Sequence, residues 1–72
     1  MERQDIIRIF AANLRAERAK KRFTQEKLAE MADITPEYLA RLESEKYNPT
    51  LVVIVNLAMA LGISIDKLLA AD

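Results

Sequence analysis

Thr24–Glu43, TQEKLAEMADITPEYLARLE, holds two short helical patterns separated by a break too short for an ordinary loop. Leu28 and Ala29 share one face of the first pattern, and Met31 and Ala32 extend it. Leu39 and Leu42 share one face of the second. Thr24 and Thr35 each stand at an N-cap position, and Pro36 follows Thr35 where a first helical residue belongs. Glu37 then falls in the first turn, where the helix dipole favours an acid. Only Ala32, Asp33 and Ile34 turn the chain, so Ile34 is expected to point inward and keep the two helices from splaying. Two helices held this tightly have a fixed mutual geometry.

The rest of the chain reads as helix too, because one glycine and two prolines offer few breaks. The first helix is predicted from about Asp5 to about Lys20, with Ile7, Phe10 and Leu14 facing inward. Phe23 closes the connector as a core plug. The second helix follows Thr24, and the third spans Pro36 to about Ser44. Glu45–Pro49 is a loop, since the residue before a proline is pushed out of the helical region. Thr50 caps a fourth helix, LVVIVNLAMAL, which Gly62 ends in a left-handed conformation. Ser64 caps a short fifth helix containing Ile65, Leu68 and Leu69. The expectation is a single all-α domain over residues 1–72, a compact five-helix bundle built around a helix-turn-helix.

Composition removes several classes of function. With no cysteine and no histidine, there is no disulfide framework, no common zinc site and none of the usual nucleophile–base pairs. Carboxylates are plentiful but solvent-facing, so no enzyme, metal or cofactor is expected. No apolar run reaches about 18 residues, and Met1–Gln4 does not begin a signal peptide. The chain therefore reads as cytoplasmic, with no membrane partner.

Charge is unevenly spread over a net of zero. Met1–Arg22 carries seven bases and three acids, and Phe23–Glu45 carries two bases and six acids. The two-helix motif is thus acidic. Any phosphate affinity must come from Lys20–Arg22, Lys27, Lys46 and oriented backbone amides.

The ordered set Leu14-Arg15, Arg18, Phe23-Thr24-Gln25, Leu28-Ala29-Glu30, Ile34-Thr35, Leu39, Arg41-Leu42-Glu43, Asn48-Pro49-Thr50, Leu57-Ala58, Ala60–Ser64 and Asp66–Leu69 resembles the lambda-repressor-like (Xre/Cro) helix-turn-helix family. That family includes phage repressors, restriction-modification controllers and antitoxin-type autoregulators. The resemblance implies a sequence-specific transcriptional regulator whose third helix enters a major groove. It implies base contacts from Pro36, Glu37 and Arg41, with Arg41 suited to bidentate pairing with guanine. Backbone contacts fall to Thr24, Gln25, Lys27, Thr35, Tyr38, Lys46, Tyr47 and Asn48. Arg18 and Glu43 match a buried pair tying the first helix to the end of the third.

Plainer roles exist beside these. Glu37 and Arg41, four apart, suit an exposed helix salt bridge, and Tyr38 suits cover for its helix's flank. Four positions depart from the family pattern. Arg22, Asp33 and Glu45 stand where glycine is frequent, and Glu17 replaces a usual leucine.

The fourth helix is apolar on more than one side. Leu51, Ile54, Leu57, Ala58 and Leu61 form a stripe for the core, and Val52, Val55 and Met59 form another. Unless Ile6, Ile9 or the fifth helix covers that second stripe, a second copy of the chain must. A two-fold homodimer on a palindromic DNA operator is the expectation, with no separate effector or cleavage domain and with regulation through concentration. The rival expectation is a protein–protein module on the same fold, an antitoxin or anti-repressor partner, favoured by the acidic motif.

Overall fold

A computed structural model describes residues 1–71; Asp72, the last residue of the expected domain, lies outside the described residues. The elements are α1 (Arg3–Lys21), α2 (Gln25–Ala32), α3 (Pro36–Glu43), α4 (Leu51–Leu61) and α5 (Ile65–Leu69). Threonines set the starts of α2, α3 and α4. The Oγ1 atoms of Thr24, Thr35 and Thr50 accept from the backbone N–H of Lys27, Tyr38 and Val53 at 3.0, 3.0 and 3.1 Å. Each bond satisfies one of the first-turn donors that have no partner inside the helix. Ser64 departs from the expected pattern: its hydroxyl makes no cap bond, and the Lys67 N–H goes to the Ser64 carbonyl instead.

The helix ends share one device. Arg22, Asp33, Glu45 and Gly62 are left-handed, with φ between 59° and 68°. In each case the next residue's N–H reaches back five positions, as Phe23 does to Arg18, Ile34 to Ala29, Lys46 to Arg41 and Ile63 to Ala58. Three of these following residues, Phe23, Ile34 and Ile63, pack against the core. The fourth is Lys46, which is exposed, so the chain after α3 turns outward rather than in.

Phe10, Leu14, Leu28, Leu39, Leu42, Leu57, Leu61 and Leu68 form the fully buried centre. α2 lies on α4 and α1 on α5, while α3 bridges α2 and α1. Asn13 ties the C-terminal end down by donating to the Leu68 and Ala70 carbonyls at 3.0 and 2.9 Å.

Two face assignments need correction. Met31 is 43 % exposed although its neighbour Ala32 is buried, and it lines an open groove between α2 and α4 with Asn56, Met59 and Ala60. Leu51 is 73 % exposed and belongs to the outer side of α4, not to the core stripe. In α5, Leu68 is buried and Ile65 packs against the core, while Leu69 is exposed. α1 also begins two residues earlier than expected, at Arg3, and α3 ends at Glu43 rather than Ser44.

Candidate nucleic-acid interface

Pro36, Glu37 and Arg41 all project to solvent from α3. The opposite face of the same helix, Leu39, Leu42 and Glu43, is buried. The helix is therefore anchored on one side and free on the other. The N-termini of α2 and α3 open onto a common shallow groove lined by Thr24, Lys27, Thr35 and Pro36, with Glu26, Glu30 and Ile34. Thr24 Oγ1 takes the Lys27 N–H of α2, while a helix N-terminus of this kind suits an anion and the Lys27 side chain adds a cation beside it.

Glu43 is what fixes α3 against α1. Its side chain is 5 % exposed, and Oε2 accepts from Arg18 Nε at 2.7 Å. Oε1 accepts from Arg18 Nη2 at 3.0 Å and from Gln25 Nε2 at 2.9 Å. Arg18 also donates to the Phe23 carbonyl at 3.0 Å, and Arg15 donates to the Glu43 carbonyl. The hydrogen bond from Arg18 to Glu43 is the main cause that holds the guanidinium above its ordinary pKa, against a desolvation effect in the other direction. One carboxylate thus joins α1, α2 and α3, so the Arg18–Glu43 pair expected from the sequence is present. Two participants were not foreseen in it. Gln25, assigned above to a phosphate, spends an N–H on Glu43, leaving its second N–H free. Arg15 lies one turn before Arg18 on the same side of α1, a spacing that signals its role.

Glu37 and Arg41 do not form the helix salt bridge that their spacing allows. Among the described residues, the ion pairs are Arg8–Asp5, Arg18–Glu43 and Lys20–Glu17. Arg41 instead lies over the Tyr47 ring, 5.6 Å from its centroid. Tyr47 in turn meets Tyr38 at 5.6 Å between ring centroids, tilted by 44°. Tyr38 is half-buried and packs on the core, so it covers the flank of α3. Lys46 and Asn48 are exposed beside this aromatic pair.

A profile of the helix-turn-helix family matches residues 14–68, most of the chain and all of this geometry. The chain belongs to the lambda-repressor-like helix-turn-helix family. It is 38 % identical over 65 residues to the control protein C.SmaI of Serratia marcescens, covering 90 % of this chain and 77 % of that one. It is 36 % identical over 59 residues to an immunity repressor protein of Bacillus phage phi105. That match covers 82 % of this chain but 41 % of the phage protein, so the chain spans about two fifths of that relative's length. Among solved structures, a hypothetical transcription factor, NHTF, from Neisseria superposes with a TM-score of 0.88 at 31 % identity, covering 97 % of this chain and 80 % of that one. As a member of this family the chain is a DNA-binding regulator of transcription and not an enzyme. No helix among the described residues is long and apolar enough to cross a membrane.

Proposed function

We propose that the chain binds a palindromic operator as a homodimer, reading base edges with Pro36, Glu37 and Arg41. The observation that carries this reading is the free outer face of α3: its one arginine has no carboxylate partner, and its inner face is locked through Glu43. Arg41 is a bidentate donor for guanine, a contact worth about 1–3 kcal/mol of discrimination. Glu37 accepts from a cytosine amino group, and Pro36 offers apolar contact to a thymine methyl. Thr24, Gln25, Lys27, Thr35, Tyr38, Lys46 and Asn48 surround that face and hold the flanking phosphates, with Tyr47 beside Arg41 in the same loop.

The outer side of α4 supports the homodimer. Val52 is 67 % and Met59 74 % exposed, with Leu51 beside them and Val55 half-buried between; neither α1 nor α5 covers them. Fully burying such a side chain contributes about 1.5–3 kcal/mol. Leu51, Val52 and Met59 of both copies make six such side chains, and scaling full burial by their exposures of 73, 67 and 74 % gives on the order of 6–13 kcal/mol, similar to the roughly 4–15 kcal/mol cost of association. The dimer then forms over a concentration range that the cell can regulate. The domain measures 31 × 21 × 20 Å, so two copies side by side set their α3 helices on the scale of one DNA turn, about 34 Å. Similarity to a control protein and to a phage immunity repressor supports the operator as target.

The acidity of Phe23–Glu45 favours a second reading, a protein–protein module on this fold. Salt separates them, because phosphate binding weakens steeply with ionic strength and an apolar protein contact does not. The test of the first reading is a nuclease footprint on DNA upstream of the chain's own coding sequence. Two protected half-sites about one helical turn apart, appearing only at concentrations where sedimentation shows a dimer, are expected. Protection of a single unrepeated site by a monomer would refute it.

A further inference from the structure

The loop after α3 is built to return an aromatic ring to the recognition helix. Glu45 takes a left-handed conformation with φ 67°, and the Lys46 N–H closes on the Arg41 carbonyl at 2.9 Å. That bond reverses the chain within three residues of the helix end and sets Tyr47 beside the side chain of the residue whose carbonyl it uses. Tyr47 does not stand alone, because Tyr38 braces it from below and Tyr38 is itself packed on the core. A continuous chain of contacts therefore runs from the hydrophobic centre through Tyr38 and the tilted Tyr47 ring to the Arg41 guanidinium.

A guanidinium on the face of a tyrosine ring is held by the ring quadrupole, while its N–H donors stay directed outward in its own plane. No other side-chain partner competes for them: among the described residues, Arg41 donates no side-chain hydrogen bond and joins no ion pair. An unsupported arginine at a helix end samples many rotamers, and ordering it on binding costs about 0.5–1.5 kcal/mol of the affinity.

The geometry points to Tyr47 as a positioning residue for sequence readout, a platform that pre-orders Arg41 for the base edge. This rests on the reading of Arg41 as a base contact. It assigns Tyr47 a role different from the phosphate grip expected of its loop, and the two make opposite predictions. A phosphate contact strengthens binding to every sequence alike, whereas a platform for Arg41 strengthens only binding to the sequence that Arg41 reads.

The experiment measures two affinities for each variant: for the duplex that the wild-type protein enriches from a randomised library, and for poly(dI-dC). Tyr47→Leu is expected to lower the ratio of the two about two- to fivefold, the worth of an exposed cation–π contact, and Tyr47→Phe to preserve it. In an Arg41→Ala background, Tyr47→Leu should change the ratio no further. In the protein without DNA, the Arg41 side-chain N–H resonance should carry a ring-current shift that Tyr47→Phe keeps and Tyr47→Leu removes. Equal loss of both affinities, or an Arg41 resonance indifferent to Tyr47→Leu, overturns the platform while leaving the Arg41 contact intact. An unchanged ratio for Arg41→Ala alone overturns the base-contact reading, and the platform with it. Tyr47 is 43 % exposed and is not one of the residues packed on the core, so its substitution leaves the core packing in place.

Discussion

Glu43→Ala is the perturbation whose cost the structure defines best. It removes the acceptor of three side-chain hydrogen bonds, at 2.7, 3.0 and 2.9 Å, and leaves the Arg18 charge without its carboxylate. Breaking a fully buried pair from one side costs about 3–5 kcal/mol. Arg18 is 23 % exposed and keeps the Phe23 carbonyl, so water and that carbonyl recover part of the loss. The expected cost is about 2–3 kcal/mol. A domain of this size has a total stability of roughly 4–11 kcal/mol, so the fraction lost is large. The corresponding fall in Tm is roughly 10–20 °C. Urea and thermal unfolding followed by circular dichroism measure it directly. The double variant Arg18→Met/Glu43→Leu should recover most of the stability, because apolar replacement of both partners leaves no stranded charge. If Glu43→Ala lost less than about 0.5 kcal/mol, or if the double variant lost the sum of its single changes, the view of Glu43 as the joint of α1, α2 and α3 would be wrong. The raised pKa of Arg18 fixes the pH sign. The stabilisation is complete below the unfolded-state pKa of arginine and disappears only as pH rises through the folded value, beyond any ordinary buffer.

Three further outcomes follow from particular bonds and surfaces. Thr50→Ala should cost about 1 kcal/mol in urea unfolding, whereas Ser64→Ala, whose hydroxyl caps nothing, should cost almost nothing. Glu45→Gly should raise stability by about 0.5–1 kcal/mol by relieving a left-handed non-glycine residue, less the added freedom of the unfolded chain, and should strengthen non-specific DNA binding by removing an acid beside Lys46. Val52→Asp and Met59→Asp should each give monomers in sedimentation equilibrium with an unchanged far-ultraviolet spectrum, since both side chains are already exposed in the single chain.

What could be read from the sequence was governed by local chemistry. The three threonine caps, the left-handed Gly62 and the Arg18–Glu43 pair depend on residues whose bonding options are few, and all are present. The departures from family glycines at Arg22, Asp33 and Glu45 proved to be substitutions without rerouting, since all three keep positive φ. Apolar pattern was a weaker guide on α4, because a helix apolar on most sides does not announce which side meets the core. Leu51 went to the wrong stripe for that reason. Met31 failed similarly, as an apolar neighbour of buried Ala32 that sits in the open groove between α2 and α4. The site residues were legible as a surface but not in their connections. That Gln25 turns to Glu43, and that Arg41 prefers Tyr47 to Glu37, depends on distances between elements that no spacing along the chain contains.

The most direct test of the account is a mobility-shift titration of wild type and Arg41→Ala against DNA upstream of the chain's own coding sequence, at low and at moderate salt. Sedimentation under the same conditions records the oligomeric state. Salt-sensitive binding of a dimer to an inverted repeat, reduced about 5- to 150-fold by Arg41→Ala, is the predicted result. A folded dimer that gives no specific shift, or one whose specific shift is indifferent to Arg41→Ala, would contradict the assignment of α3 as the reading helix.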